Sequence, residues 1–246
     1  MLDSDPILGK IVGIYPSDRA RLLLPAVLIS GVVAVILNFT IATIPDWWGP
    51  ALTTILMSLV VLVVGWRVLH FWNREVVLYD KGFSYREGAR TVLFLYHEVV
   101  TIRQSGQQLA YFGGLIRRNT LQFTLIALHG ETMILNSLYK RVDTLGAQIE
   151  AKVYPLLEPQ LTQRMAQGEK ISFSASLRLS SQGLHEKGRD LLWAQYGGYQ
   201  VGGGQLRLLA LPDKSEWFSL PLPDVDNLPL LVKLLKQHQK VLIVPV

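Results

Sequence analysis

Apolar residues gather in two long blocks near the start of the chain, and beyond them the pattern breaks into short alternations. Residues 22–44 form a 23-residue run without a charged side chain. A helix over that run, at about 1.5 Å per residue, spans a hydrocarbon layer of about 30 Å. A second run is uncharged from Ala51 to Trp66 and continues past Arg67 to Trp72. The long stem of Arg67 lets its charge snorkel outward, so spans over about 22–44 and 51–72 are expected. Between them, Pro45 and Pro50 enclose Trp47 and Trp48, which predicts a tight turn at a membrane–water interface. Trp66, Arg67 and Trp72 are the expected anchors at the opposite interface, because indole rings and long basic side chains prefer headgroup depth. Lys10, Arg19 and Arg21 precede the first span, and Arg67 and Arg74 end the second. By the positive-inside rule both chain ends face the cytoplasm. Neither span has an ionisable residue in its middle, so the pair reads as an anchor rather than an ion or proton path.

From Arg74 onward short alternating segments predict strands at 75–79, 83–86, 91–96, 99–104, 109–112, 120–128 and 131–135. Glycine and polar turns separate them: Asp80-Lys81-Gly82, Glu87-Gly88, Ser105-Gly106, Gly113-Gly114 and His129-Gly130. Asn136-Ser137 then offers an N-cap to an amphipathic helix over 138–157, with Leu138, Val142, Leu145, Ile149 and Val153 on one face. The next stretch repeats the plan. Tyr79-Asp80-Lys81-Gly82-Phe83 is echoed by Leu179-Ser180-Ser181-Gln182-Gly183-Leu184, and Tyr96-His97-Glu98-Val99 by Trp193-Ala194-Gln195-Tyr196. Strands over 198–202, 205–210 and 216–220 lead to a last helix, capped by Asp226-Asn227, that aligns Leu230, Leu231, Leu234 and Leu235. Strands followed by a helix, twice, point to a duplicated unit.

These motifs, together with Tyr15-Pro16-Ser17 before the first span, resemble a family of bacterial membrane proteins that carry tandem pleckstrin-homology-like domains. Asp226-Asn227 stands where that family has Pro-Asn, and Gln195 where it has an acid. The resemblance implies an α+β membrane protein: a two-helix hairpin, then two antiparallel barrels or sandwiches, each closed by a C-terminal helix. The corresponding divisions are an N-terminal segment (1–20), the hairpin (21–73), a first domain (74–165) and a shorter second domain (166–246). It implies a fold and a tether in the inner membrane, and no catalytic residues.

Composition narrows the chemistry. The chain has 246 residues, 50% of them apolar and 17% charged, against about a quarter charged in an ordinary soluble domain. With no cysteine, disulfide scaffolds, iron–sulfur centres and thiol nucleophiles are excluded. The five histidines lack ligand spacing, and His97-Glu98, adjacent in a strand, would face opposite sides; neither a metal nor another cofactor is expected. His129 and His185 fall in turns and are expected to be solvated. The glycines from Gly197 to Gly204 lack the strand–loop–helix setting and Lys-Ser/Thr of a phosphate loop. The net charge of +5 resides wholly in the part after residue 73. Arg86 and Arg90 bracket a hairpin, Arg117 and Arg118 fall in a loop, and Lys140 and Arg141 start the first helix; these six are the candidate contacts for anionic headgroups or a protein partner. Nucleic acid is not expected, since aromatics and arginines do not interleave. The expected function is membrane-anchored binding or scaffolding. The alternatives are a structural subunit packing through small residues such as Gly31, Ala34 and Ser58, with oligomerisation open, and an enzyme using His97 or Glu98.

Overall fold

The computed structural model describes residues 4–43, 48–111 and 116–238, with side chains outside 107–120. It divides into two compact units, one of Met1–Phe94 with Leu138–Arg141, the other of Leu95–Ser137 with Val142–Val246.

The first unit holds a five-stranded antiparallel sheet in chain order: β1 (Ser4–Asp5), β2 (Gly9–Pro16), β3 (Glu75–Tyr79), β4 (Gly82–Glu87) and β5 (Arg90–Leu95). The Asp5 carboxylate accepts the Ile7 and Leu8 amides at 2.8 and 2.9 Å, which turns the chain between β1 and β2. Alternation then does its ordinary work. In Glu75–Tyr79 every second side chain, Val76 and Leu78, is buried, and Phe83 stacks on Phe94 at 5.1 Å. The strand Gly9–Pro16 is a departure from the sequence reading, which treats residues 1–20 as a plain segment. It pairs with β3 from Ile11↔Tyr79 to Pro16↔Glu75, so the sheet is assembled from residues on both sides of the hydrophobic hairpin.

That hairpin is α1 (Arg19–Thr43) and α2 (Trp48–Trp72), each 25 residues and each long and apolar enough to cross a membrane. Apolar side chains occur all round both helices, and only Leu37 of α1 and Gly49 and Thr53 of α2 are buried. Their threonine hydroxyls are satisfied internally: Thr40, Thr43, Thr53 and Thr54 each donate to the carbonyl four residues back, at 2.6–3.1 Å. The turn itself, with Trp47, lies outside the described residues.

In the second unit, β6 (Val99–Tyr111), β7 (Ile116–Ala127) and β8 (Thr132–Leu135) form a three-stranded meander. The expected break at Ser105-Gly106 does not occur. Gly106 pairs with Leu121 inside one continuous ladder, and cross-strand pairing overrides the local turn signal. Arg117 and Arg118 correspondingly lie in strand β7, opposite Ala110 and Leu109, rather than in a loop. Helix α3 (Val142–Ala166) buries Leu145, Ile149, Val153, Leu157, Leu161 and Met165, a spacing of four residues throughout that keeps one face inward. It starts later than its sequence suggests, because Leu138–Arg141 forms a turn with a bridge from Tyr139 to Ser17 and Arg141 adopts φ +54°. A four-stranded meander follows, β9 (Ile171–Ser172), β10 (Leu177–Leu179), β11 (Gly183–Glu186) and β12 (Arg189–Leu192). A three-stranded one comes next, β13 (Tyr196–Gly202), β14 (Gln205–Ala210) and β15 (Ser215–Pro221), and then α4 (Leu228–His238). Along the chain the order is five strands, three strands and a helix, then four strands, three strands and a helix, with the apolar hairpin inserted between β2 and β3.

Asn227 does not cap α4 with its side chain. At φ +51° and buried, it reaches instead to β6, where its carbonyl oxygen accepts the Ile102 amide at 2.8 Å and its NH2 donates to Val100 O at 3.0 Å. Arg103 pairs with Asp226 beside it at 2.8 Å.

Candidate functional site

The first unit concentrates its charge where the sheet meets the two helices. Strand β2 passes into α1 through Ser17 and Asp18, and α2 passes into β3 through Asn73 and Arg74. Buried Ser17 joins the two connections. Its amide donates to Arg74 O and its hydroxyl to Trp72 O, both at 3.0 Å, which satisfies a carbonyl left open at the end of α2. Asp18 precedes the first turn of α1 and pairs with Arg21 at 3.2 Å, a placement the helix dipole favours. The segment from Leu138 joins the same junction: Leu138 O accepts the Asp18 amide at 2.6 Å, and the Lys140 amide donates to Pro16 O at 3.3 Å.

Two aromatic rings at the end of α2 carry three cations. Arg19 lies 4.7 Å over Trp72, and Arg74 and Arg67 lie 4.6 and 5.7 Å over Phe71. Glu87, at the end of β4, pairs with Arg74, accepts Tyr85 Oη at 3.2 Å, and has His70 of α2 at 3.7 Å. Tyr139 is buried beside this group. Desolvation first, and then the facing Tyr85, raise its pKa far above the ordinary phenol value, so it stays neutral and supplies no base.

Four of the six expected contacts surround this junction within the unit. Arg86 sits opposite Glu75 and donates to Gly88 O at 3.3 Å, and Arg90 begins β5 just past the hairpin turn. Lys140 and Arg141 lie on the segment that pairs with Pro16 and Ser17; all four side chains are exposed. With Arg19, Arg21, Arg67 and Arg74 they make eight basic residues against Asp18, Glu75 and Glu87. Arg117 and Arg118 belong to the second unit, and their side chains lie outside the described residues. Of the expected anchors, Trp48 opens α2 with its ring exposed, Trp66 stacks on His70 at 5.9 Å, and Trp72 holds Arg19. Between α1 and α2 at this end lies a cavity of about 340 Å³, walled by Leu22, Pro25, Ile29, Val64, Val68 and Phe71, with Arg21 and Arg67 among its lining.

The other sequence candidates have local roles. His97 and Glu98 occupy a 3-10 turn, Tyr96–Glu98, where the Glu98 carboxylate accepts the Leu95 amide at 3.3 Å. His185, expected to be solvated, has a side chain only 11% exposed because Ser180 and Asp190 enclose it. Among the described residues, no group of three or more His, Asp or Glu side chains could hold a metal ion. The contacts of Ser17, Glu87 and Tyr139 escape a reading by motif, since their partners lie up to 122 residues away.

Residues 8–241 match a family of unknown function, DUF6585, and the chain belongs to that family. No curated protein matches it.

Proposed function

We propose that this member of the DUF6585 family is a membrane-anchored binding protein without catalytic activity. In this reading α1 and α2 cross the bilayer as a hairpin, and both chain ends lie in the cytoplasm. The strand–helix sets fold as two pleckstrin-homology-like domains against the anionic membrane surface. The observation that carries the reading is the junction: eight basic residues surround the same end of two exposed apolar helices. A 25-residue helix is about 37 Å long, enough for a hydrocarbon layer of about 30 Å with a tilt or a turn to spare. Basic side chains held near an anionic surface contribute about 1 kcal/mol each, which favours lipids such as phosphatidylserine around the junction. Three acids temper the sum, and Glu87 is already matched to Arg74.

The test uses the full chain in nanodiscs of mixed neutral and anionic lipid, with the retained lipids counted by native mass spectrometry. Anionic lipids should be enriched over the bulk mixture, and changing Arg86, Arg90, Lys140 and Arg141 to Glu should abolish the enrichment. The reading fails if the wild-type chain shows no enrichment, if the variant retains it, or if alkaline carbonate strips the chain from membranes.

A second reading, that the hairpin packs into a larger membrane complex, is favoured by Gly31 and Ala34 of α1 and Ser58 of α2. All three are exposed, and Gly31 has open space where a side chain would stand. Crosslinking in intact membranes decides between them: a defined larger species supports assembly, and monomer alone removes it.

A further inference from the structure

The outer face of the β9–β12 sheet carries a second concentration of charge, far in sequence from the helix junction. Strand pairing sets Ser172, Arg178, His185 and Asp190 in one cross-strand row. The neighbouring row, Ile171, Leu179, Leu184 and Leu191, points the other way and is buried. One face of this sheet therefore belongs to the core, and the other presents polar groups in fixed register.

His185 is the post on that face. Its Nε2 lies 2.8 Å from Ser180 Oγ and its Nδ1 2.6 Å from Asp190 Oδ1. A carboxylate can only accept, so Nδ1–H donates to Asp190, while buried Ser180, which also accepts the Gln182 amide at 3.2 Å, is the partner of Nε2. The order Ser–His–Asp has the connectivity of a hydrolase triad. Here, though, the hydroxyl is buried and Ser180 does not line the adjoining cleft, so no substrate carbonyl could reach it. What the chain of hydrogen bonds does is hold Asp190. The bond from His185 keeps that carboxyl below its usual range, and it stays anionic beside Lys170, whose Nζ is 3.3 Å from Nδ1.

Above this post is a cleft of about 240 Å³, lined by Lys170, Ser176, Arg178 and Lys187 with His185 and Asp190. Three cations stand against one carboxylate that His185 already engages. Arg178 and Lys187 make no ion pair among the described residues, whereas nearby Arg189 is matched to Glu186 and lies 5.8 Å over Trp217. Lys187 and Gly188, at φ +38° and +87°, form the two-residue turn joining β11 to β12, a conformation that holds the Lys187 stem at the cleft's rim. Arg178 comes from a strand, so its planar fork is presented from a rigid base. The surplus of two positive charges equals the charge of a phosphate monoester, and the volume admits the group with a few attached atoms.

We propose that this cleft binds a phosphate monoester, with Arg178 bidentate to two phosphate oxygens and Lys170 and Lys187 on the third. The ligand is a soluble phosphorylated metabolite or a monoester lipid headgroup, and the site works independently of the helix junction.

The test is isothermal titration of the full chain in detergent with glycerol 3-phosphate and, separately, its transfer to vesicles containing phosphatidic acid, with phosphatidylglycerol vesicles as the diester control. Wild type should bind at least one monoester saturably. R178A/K187A should weaken that binding by about tenfold or more, the loss expected when charged hydrogen bonds are removed. Both replaced side chains are exposed, so folding should be unaffected; an unchanged melting temperature checks this, and K214Q, at an exposed turn, should bind like wild type. Binding of glycerol 3-phosphate assigns a soluble ligand, and preference for phosphatidic acid vesicles alone assigns a headgroup. No saturable monoester binding, or equal affinity in R178A/K187A, overturns the proposal.

Discussion

Helices α1, α2 and α3 are each 25 residues long, yet the first two expose nearly their whole surface and the third buries one face along its length. Length therefore says nothing about environment. In α1 apolar side chains occur at every angle, so no single orientation on a sheet could cover them all. In α3 the buried apolar residues recur at every fourth position, while Lys152, Pro155, Pro159 and Gln163 fall outside that face and are exposed. The prolines are tolerated there because water can reach the carbonyls they leave unpaired. The contrast extends to single glycines. Gly146 of α3 lies against the ring of Phe123, so closely that a methyl group on it would overlap the ring, while Gly31 of α1 has nothing nearby.

That pair of glycines yields the largest expected effect. Gly146→Val should destabilise the second unit by about 3 kcal/mol or more through overpacking against a buried ring. Gly31→Val should change stability by less than about 0.5 kcal/mol. Denaturant unfolding of both variants in the same detergent measures the difference, and equal losses would break the distinction between packed and unpacked helices.

A smaller effect sharpens the comparison at α4, which is held by a polar tie as well as a leucine face. Asn227→Ala removes an acceptor from the Ile102 amide and a donor from Val100 O, both on β6. The expected loss is about 2–3 kcal/mol, the penalty for leaving buried backbone groups unpaired. Asn227→Asp keeps the acceptor and should lose less; if Asn227→Ala unfolds like wild type, the tie contributes nothing.

The smallest effect is a pH dependence at the far end of α4. His238 stacks on Trp193 at 3.9 Å, and burial lowers its pKa below the ordinary value of about 6.5. The folded state thus favours the neutral ring. Its contribution to stability is complete above about pH 6.5 and is lost as pH falls towards the lower folded-state value, where the unfolded chain alone takes up the proton. Melting temperatures across pH 7.5 to 5 should show a slope that His238→Phe reduces. A slope unchanged by the substitution would assign the titration to another group.

Whatever depends on neighbours along the chain is legible in the order of residues. The two apolar helices, the alternation in Glu75–Tyr79, and the leucine face of α4 are all legible, because periodicity and composition act over a few residues. The basic character of Arg86, Arg90, Lys140 and Arg141 is legible too. Their gathering around the helix ends is not, since it depends on residues 11–16 pairing across the hairpin with β3 and on Tyr139 bridging to Ser17. The same holds for Asn227, whose sequence setting reads as a cap and whose buried side chain serves a strand about 125 residues earlier. It holds for His185, which looks like a hairpin residue until strand register puts it between Ser180 and Asp190. Local propensity chooses elements. Only the tertiary structure decides which buried polar group meets which, because the cost of an unpaired donor or acceptor is settled by partners that the chain brings from far away.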